Sequence, residues 1–339
     1  MRVSAAAEPT STAPASGYPR LDARNQKVIP DRILGCNSVS CELSPAPREC
    51  YTTGLMEFTN SEAVCFVPDQ TSLEEALSRT THLGIGAHPD DLEFFGWHPI
   101  LECFQKKEFW YTGVIASDGR SSPRAGQYKD FSDDDIVKVR LKEQRHAATT
   151  GEYSCLVSLL HPETGEVMGG SPRALVEDLK QVIEACRPQH IITHNLADSH
   201  PHHLVVALSA ITALRESGFT PASFYGGEIW RSLDWMVTAD KLTFDVSDHQ
   251  NLSNALMGVY DSQITGGKRY DLATAGRKRA NATYYDPLAT DQSTALEYGM
   301  DLLPLLHDPT LSPTDYVSGL LSNFRREVTG RLDGLQKSL

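Results

Sequence analysis

The central part of the chain alternates short apolar runs with amphipathic segments. The runs at residues 83–87, 109–116 and 189–193 have the length and apolar content of buried strands. Residues 134–149 and 173–186 instead carry apolar side chains at helical spacing. Strands that alternate with helices in this way form parallel sheets covered on both faces. We therefore expect an α/β fold: a Rossmann-like, mainly parallel sheet with helices on both faces.

The pattern divides the chain into three regions. Residues 1–80 are expected to form an N-terminal extension that is partly disordered, because its beginning is rich in Ala, Ser, Thr and Pro. Within it, residues 63–67 are apolar enough for a strand. Ser72, followed three residues later by Glu75, is typical of the start of a helix. Residues 81–265 are expected to form the α/β core. Residues 266–339 are expected to form C-terminal loops and a helix that pack on this core.

Weaker patterns predict the remaining elements. These are helices at 92–104, 201–216, 248–263 and 312–337, strands at 153–160 and 233–246, and loops at 266–300. Pro201 occupies the first turn of its helix, a position that suits proline. The last helix could cover the sheet or mediate homo-oligomerisation.

Composition narrows the choice of partners and compartment. The formal net charge is −13 and no basic patch stands out, which argues against nucleic acid and against polyanionic substrates. No apolar run approaches the roughly 18 residues that a membrane span needs, and we expect no secretory signal. The seven cysteines are irregularly spaced and lack the pairing of a zinc module. We expect reduced thiols in a cytoplasmic protein.

Two polar segments each follow a predicted strand, one at 88–91 with the sequence HPDD and one at 200–203 with the sequence HPHH. The carboxyl ends of parallel strands meet at one edge of a sheet, where ligands bind. A catalytic zinc takes three protein ligands and keeps one position open. His88 and Asp91 are spaced to reach one ion from the same loop. Asp90, between them, is free to act as a general base.

The second segment supplies further candidates. Residues three apart lie on one side of a helix, so one of His200 and His203 can bind a metal while the other stabilises an oxyanion. Asp198 could orient one of these imidazoles. Each motif alone has a plainer explanation, an aspartate that caps a helix or a fortuitous histidine cluster. The two together favour a metal site that holds Zn²⁺, with Fe²⁺ as an alternative because His and carboxylate ligands accept both.

Residues 87–93, with the sequence AHPDDLE, resemble the first signature of the LmbE / PIG-L family of zinc-dependent N-deacetylases. The family's second signature, H-x-x-H, is matched by His200 and His203. Within the helix predicted at 134–149, the pattern R-x-x-E-x-x-x-A that starts at Arg140 also resembles the family's. The resemblance covers roughly residues 82–265 and implies the family's fold and chemistry.

The resemblance implies a role for each matched residue. The family's zinc ligands are matched by His88, Asp91 and His203. Asp90 matches its general base, and His200 matches the histidine that stabilises the oxyanion and can act as an acid. Glu93 is expected to brace the loop from behind. His202 departs from the pattern, since many members have an aspartate there, and this would leave Asp198 to tune the substrate-facing histidine.

Three residues near the predicted site could contact the substrate: Asp118, Arg124 and His194. Asp118 follows the second strand, where family members have a polar loop. Arg124 lies in a loop rich in Ser, Pro and Gly, and His194 ends a strand. A solvated loop and a structural histidine are the alternatives for the last two.

The expected function is hydrolysis of a linear amide: removal of an N-acyl group, most often N-acetyl, from an amino sugar or sugar conjugate. An extended family member of this kind would suit secondary metabolism, by analogy alone. An amidase that acts on a thiol conjugate or a longer acyl amide is one alternative. A non-catalytic metal- or sugar-binding protein is another, which the presence of Asp90 disfavours. The expected partner is a small N-acylated molecule.

Overall fold

The part of the chain that the computed structural model describes, residues 50–51, 56–163 and 171–339, forms an α/β fold around a nine-stranded sheet. The strands are β1 (Cys50–Tyr51), β2 (Val64–Phe66), β3 (His82–Gly86), β4 (Tyr111–Ser117), β5 (Cys155–His161), β6 (His190–His194), β7 (Ser223–Gly227), β8 (Lys241–Asp245) and β9 (Leu296–Asp301). Their order is β1-β2-β5-β4-β3-β6-β7-β9-β8. The five central strands, β5 to β7, pair in parallel, and antiparallel pairs flank them at both edges. The predicted mainly parallel sheet is confirmed.

Helices cover both faces of this sheet. They are α1 (Leu73–Ser78), α2 (Asp91–Phe95), α3 (Trp97–Cys103), α4 (Asp133–Thr150), α5 (Pro172–Cys186), α6 (Pro201–Ser217), α7 (Gln250–Gly258), α8 (Asp261–Ile264), α9 (Tyr270–Thr283), α10 (Pro304–His307) and α11 (Pro313–Gln336). One apolar cluster joins the sheet to α1, α5 and α6, and the other joins it to α2, α3, α4 and α7. The central strands β3 and β4 are buried along their whole length because helices cover both of their faces.

Close packing explains a glycine in the central strand β3. A Cβ atom at Gly84 would lie 1.8 Å from the hydroxyl oxygen of Tyr111, whose side chain is fully buried. No larger residue can occupy this position without displacing the tyrosine.

The N-terminal part of the described chain follows its sequence pattern. The apolar run at 63–67 contains β2, and the side chain of Ser72 accepts a hydrogen bond from the backbone of Glu75 at the start of α1. The helix predicted at 92–104 is wrong as one element, because Gly96 separates α2 from α3. A Cβ there would lie 2.6 Å from the carbonyl oxygen of Leu92.

The C-terminal part differs more from its prediction. The loops predicted at 266–300 contain α9 and β9, and the helix predicted at 248–263 is divided into α7 and α8. The helix predicted at 312–337 is confirmed as α11.

Some predictions concern residues outside the described ranges, including the disordered leader and the first two cysteines, Cys36 and Cys41. Among the described residues, the cysteines at positions 65, 103, 155 and 186 form no disulfide bond. Within the described ranges, no helix combines the length and the apolar content that a membrane span requires. The boundaries of the three regions stay predictions.

Candidate metal centre and active site

Two loops meet at the carboxyl edge of the sheet because β3 and β6 are neighbouring parallel strands. One loop joins β3 to α2, and the other joins β6 to α6. From β3 the chain moves outward through β4 and β5, then crosses to β6 on the other side. The crevice at such a reversal of strand order is where open α/β sheets bind ligands. The fold therefore places both polar segments at one site.

The side chains of His88, Asp91 and His203, from the two loops, form a triangle in which Asp91 meets one histidine through Oδ2 and the other through Oδ1. Nδ1 of His88 lies 3.2 Å from Oδ2 of Asp91 and 3.2 Å from Nε2 of His203. Nε2 of His203 lies 3.5 Å from Oδ1 of Asp91. Ligands that surround a zinc ion tetrahedrally at about 2.1 Å are about 3.4 Å apart. The closest atoms of the three predicted ligands are thus separated by about the distance that a divalent ion needs.

The surroundings hold two of these ligands, His203 and Asp91, in the form that binds a metal. Burial would lower the pKa of His88, but the carboxylates of Asp91 and Glu163 raise it. Nδ1 of His203 lies 3.2 Å from Oδ2 of Asp198, which favours the tautomer whose Nε2 lone pair faces the triangle. Burial lowers the pKa of His203 to about 3, so the ring is neutral. Burial alone would raise the pKa of Asp91, but the imidazoles of His203, His194 and His88 beside it hold that pKa well below its usual range. A neutral imidazole and an ionised carboxylate are the protonation states that ligation requires.

The side chains of His202 and Asp198 both contact predicted metal ligands. Nδ1 of His202 lies 3.1 Å from Nε2 of His88. The Oδ1 atom of Asp198 accepts a hydrogen bond from the backbone N–H of His200, at 2.8 Å. The expectation that Asp198 orients an imidazole therefore applies to His203.

The predicted substrate contact at His194 does not agree with its position. The ring is fully buried, stacks on the His203 ring at 3.9 Å and is not among the residues that line the cavity. Its Nε2 accepts a hydrogen bond from the backbone N–H of Ala87 at 2.9 Å, so that lone pair is used. His194 therefore contacts the predicted ligands His203 and Asp91 and does not line the cavity.

Asp90 is held in a conformation that few non-glycine residues adopt. Its φ is 99°, in the left-handed region, where strain of this kind often marks a functional site. Arg140 donates to Oδ2 of Asp90 at 2.9 Å, and the backbone N–H of Asp90 donates to Gln144 at 2.9 Å. Burial raises the pKa of Asp90 to about 7, against the lowering effect of Arg140. The carboxylate is fixed beside the triangle and lines the cavity.

His200 immediately precedes α6 and also lines the cavity. Its Nδ1 accepts a hydrogen bond from the backbone N–H of His202, at 3.2 Å. The proton of the neutral ring is therefore on Nε2. Burial, together with the charges of His88 and His202, lowers the pKa of His200 to about 4. At neutral pH this ring can donate one hydrogen bond to a group in the cavity.

Glu93 is buried behind the loop, as expected of a bracing residue. Its carboxylate accepts hydrogen bonds from the hydroxyls of Tyr153 and Tyr260, each at 2.5 Å, and from Gln144 at 3.0 Å. These bonds tie α2 to α4 and to the segment before α8. Burial raises the pKa of Glu93 to about 7.

Asp118 and Arg124 lie near the cavity but do not line it. The carboxylate of Asp118 is buried and accepts a hydrogen bond from Nε of Arg120 at 2.7 Å. Arg124 pairs with Asp133. The loop between them does reach the cavity, through Ser121, Ser122 and Pro123. The predicted loop contact is thus made by other residues of the same loop.

The cavity above the triangle has a volume of about 130 Å³. Besides the predicted residues, it is lined by Phe94, Arg140, Glu163, Ile229, Trp230, Gln263 and Tyr270. Glu163 could have been predicted from the sequence, because it follows β5 and active-site residues often follow the strands of a parallel sheet. It accepts hydrogen bonds from Ser117 and Ser121. Trp230 and Tyr270 have no comparable sequence signal.

The family model described as PIG-L, GlcNAc-PI de-N-acetylase, matches residues 83–214, which contain both loops of the site. The chain contains a PIG-L domain. This domain supplies the triangle, Asp90 and His200, whereas Trp230 and Tyr270 lie outside the matched residues. A comparison with curated protein sequences finds no match.

Solved structures share the fold of the PIG-L domain at low sequence identity. An N,N′-diacetylchitobiose deacetylase from Pyrococcus horikoshii is 14% identical with a TM-score of 0.54, covering 68% of this chain and 86% of that chain. GalB, the 4-carboxy-2-hydroxymuconate hydratase from Pseudomonas putida, is 16% identical with a TM-score of 0.51, covering 66% and 96%. A conserved protein from Thermus thermophilus is 18% identical with a TM-score of 0.51, covering 69% and 99%. Their names include both a deacetylase and a hydratase, so likeness of fold alone does not assign the reaction.

Proposed function

We propose that the chain is a metal-dependent N-deacetylase that hydrolyses the N-acetyl group of an amino sugar or sugar conjugate. The observation that carries the proposal is the triangle of His88, Asp91 and His203, open to a cavity that Asp90 and His200 also line. The description of the matching family, a de-N-acetylase, supports the same reaction class.

The chain's own groups suit each proton movement of amide hydrolysis. A divalent ion held by the triangle supplies Lewis-acid polarisation of the amide carbonyl. Asp90, oriented by Arg140, takes a proton from the attacking water. His200 donates its Nε2–H to the carbonyl oxygen as negative charge develops there. Asp90 then returns the proton to the leaving nitrogen, so that one amide and one water give a carboxylate and a protonated amine.

We further propose zinc as the ion, with Fe²⁺ as the alternative, because two imidazoles and a carboxylate suit both. A cytoplasmic location, a role in secondary metabolism and a homo-oligomeric state through α11 belong to the same proposal. An amidase for thiol conjugates or longer acyl groups, and a non-catalytic metal-binding protein, are its competitors.

The test compares wild type with Asp90→Asn, since asparagine tolerates the left-handed backbone of this position. Asp69→Asn is the control because Asp69 also pairs with an arginine, Arg79, far from the cavity. Bound metal is measured by mass spectrometry, and acetate release is measured on a panel of N-acetyl amino sugars, thiol conjugates and longer N-acyl sugars. We expect all three proteins to keep the metal. We expect Asp90→Asn alone to lose about 100- to 10,000-fold in rate.

The other outcomes decide between the competitors. Absence of metal from wild type would overturn the ligand assignment. Metal without hydrolysis of any amide would favour the non-catalytic protein, and hydrolysis confined to longer acyl groups or thiol conjugates would favour the amidase. Full activity in Asp90→Asn would remove Asp90 from the reaction.

A further inference from the structure

A second cavity adjoins the first. It has a volume of about 170 Å³ and lies between the segment after β7 and the first turns of α9. Phe94, Ile229, Trp230 and Tyr270 line both cavities. A molecule bound over the metal ligands therefore has the second cavity as its immediate neighbour.

The boundary between the two cavities is aromatic. Phe94 and Tyr270 meet edge to face with ring centres 5.1 Å apart, and Trp230 meets Tyr270 in the same manner at 5.8 Å. Trp230 is 44% exposed, a large value for a tryptophan held in such a contact. Its uncovered ring surface is available to an apolar group of a ligand.

The charged groups around the second cavity already have partners. Lys278 pairs with Glu297 at 2.8 Å. The Glu228 carboxylate accepts hydrogen bonds from the backbone of Leu233 and from Asn281. Arg277 donates to the carbonyl oxygen of Ile229. With these groups engaged, the cavity mainly offers aromatic and aliphatic carbon.

We infer that the second cavity is a subsite for an apolar group of the substrate, an aromatic ring or a short alkyl chain. The inference rests on the proposed function, since it assumes a substrate over the metal ligands. An apolar cavity of about 150 Å³ can hold one benzene ring, so the volume suits a group of that size. Two parts of a substrate could carry it: the acyl group on nitrogen, or the group attached to the sugar.

The subsite is a property of this chain beyond its PIG-L domain. Only Phe94 lies within the matched residues 83–214, whereas Trp230, Tyr270 and the α9 residues Ala273 and Thr274 follow them. The C-terminal part would thus add substrate selectivity to a reaction centre that the domain supplies.

The test fills the cavity from α9. Thr274→Trp places an indole in it, and Ala273→Trp is a second variant at a different point of its wall. Leu272→Trp is the matched control, because Leu272 is on the same helix, is 60% exposed and lines neither cavity. Metal content and the melting temperature show whether each variant is folded.

Two substrate series distinguish the source of the apolar group. One series is methyl, butyl and phenyl glycosides of N-acetylglucosamine, and the other is glucosamine with N-acetyl, N-butyryl and N-benzoyl groups. We expect wild type and Leu272→Trp to favour the larger groups of one series by about 10- to 100-fold in kcat/KM, as burial of one ring or chain predicts. We expect Thr274→Trp and Ala273→Trp to lose that preference, whereas Leu272→Trp keeps it.

Calorimetry distinguishes failure of the subsite from failure of the proposed deacetylase function. It measures how tightly the metal-loaded proteins bind the methyl and phenyl glycosides and the N-acetyl and N-benzoyl compounds. If no compound is hydrolysed but wild type still binds an apolar compound more tightly and Thr274→Trp does not, the proposed function fails and the subsite stands. Equal kcat/KM and equal affinity along both series in wild type would overturn the subsite. So would a preference that survives in both filled variants.

Discussion

Asp198→Asn tests whether the triangle is a metal site by changing a residue that does not touch the metal position. Oδ1 of Asp198 accepts the backbone N–H of His200 at 2.8 Å, and Oδ2 lies 3.2 Å from Nδ1 of His203. Asparagine has one acceptor oxygen and one amide donor. The donor must therefore face either the His200 N–H or Nδ1 of His203. In the second case His203 takes the tautomer whose Nε2 is protonated and cannot bind a metal.

The expected loss of metal affinity is 10- to 100-fold, the usual effect of removing the partner of a ligating histidine. This corresponds to about 1.4 to 2.7 kcal/mol of binding free energy. The assay strips the protein of metal and titrates zinc against a fluorescent chelator at pH 7.5. Melting of the metal-free protein reports any loss of stability separately.

Asp178→Asn is the matched control. Asp178 is also buried, uses both oxygens as acceptors and pairs with a histidine, His161, at 2.9 Å, but it is remote from the cavity lining. We expect it to lower stability and leave zinc affinity unchanged. Wild-type affinity in Asp198→Asn, or an equal loss in Asp178→Asn, would refute the reasoning.

Three further predictions follow from the same structure. Zinc at 100 times its dissociation constant should stabilise the protein by about 2.7 kcal/mol, seen as a higher melting temperature that His203→Ala abolishes; an unchanged temperature in wild type contradicts the site. Gly84→Ala should cost about 1 to 3 kcal/mol in urea unfolding because its Cβ would meet Tyr111, whereas Gly258→Ala, with no atom within 4 Å, should cost nothing. Lys278→Met leaves Glu297 buried without its cation and should cost about 3 to 5 kcal/mol. Burial already raises the pKa of Glu297, and losing Lys278 raises it further, so the folded variant holds a proton that the unfolded chain releases. Its loss of stability should therefore grow from pH 5 to pH 8, and an equal loss at both values would contradict this account.

The sheet and the meeting of the two loops were predictable from sequence because both depend on regular patterns. Buried strands are continuously apolar, and the carboxyl ends of parallel strands share an edge. This places His88, Asp91 and His203 together without knowledge of any side-chain position. It fails for His194, which also ends a strand, because the direction of its ring depends on packing against His203 and Phe95.

The aromatic side of the site could not be predicted in the same way. In α9 the buried side chains are Lys278, Asn281 and Ala282, so the apolar periodicity of a helix is missing and the segment resembles a loop. Trp230 lies in an irregular segment after β7. Its contact with Tyr270 joins residues 40 positions apart in the chain, and no local pattern encodes such a pairing.

The separation of the ligands along the chain has a consequence for synthesis. His88 and His203 are 115 residues apart, although their ring nitrogens lie 3.2 Å from each other. At about 5 to 20 residues per second, the ribosome adds His203 about 6 to 23 seconds after His88. During that interval the nascent chain has a histidine and an aspartate but no third ligand. Tight binding of a metal ion therefore requires that β6 has already paired with β3. Metal binding by the nascent chain would then indicate that the two halves of the sheet have assembled.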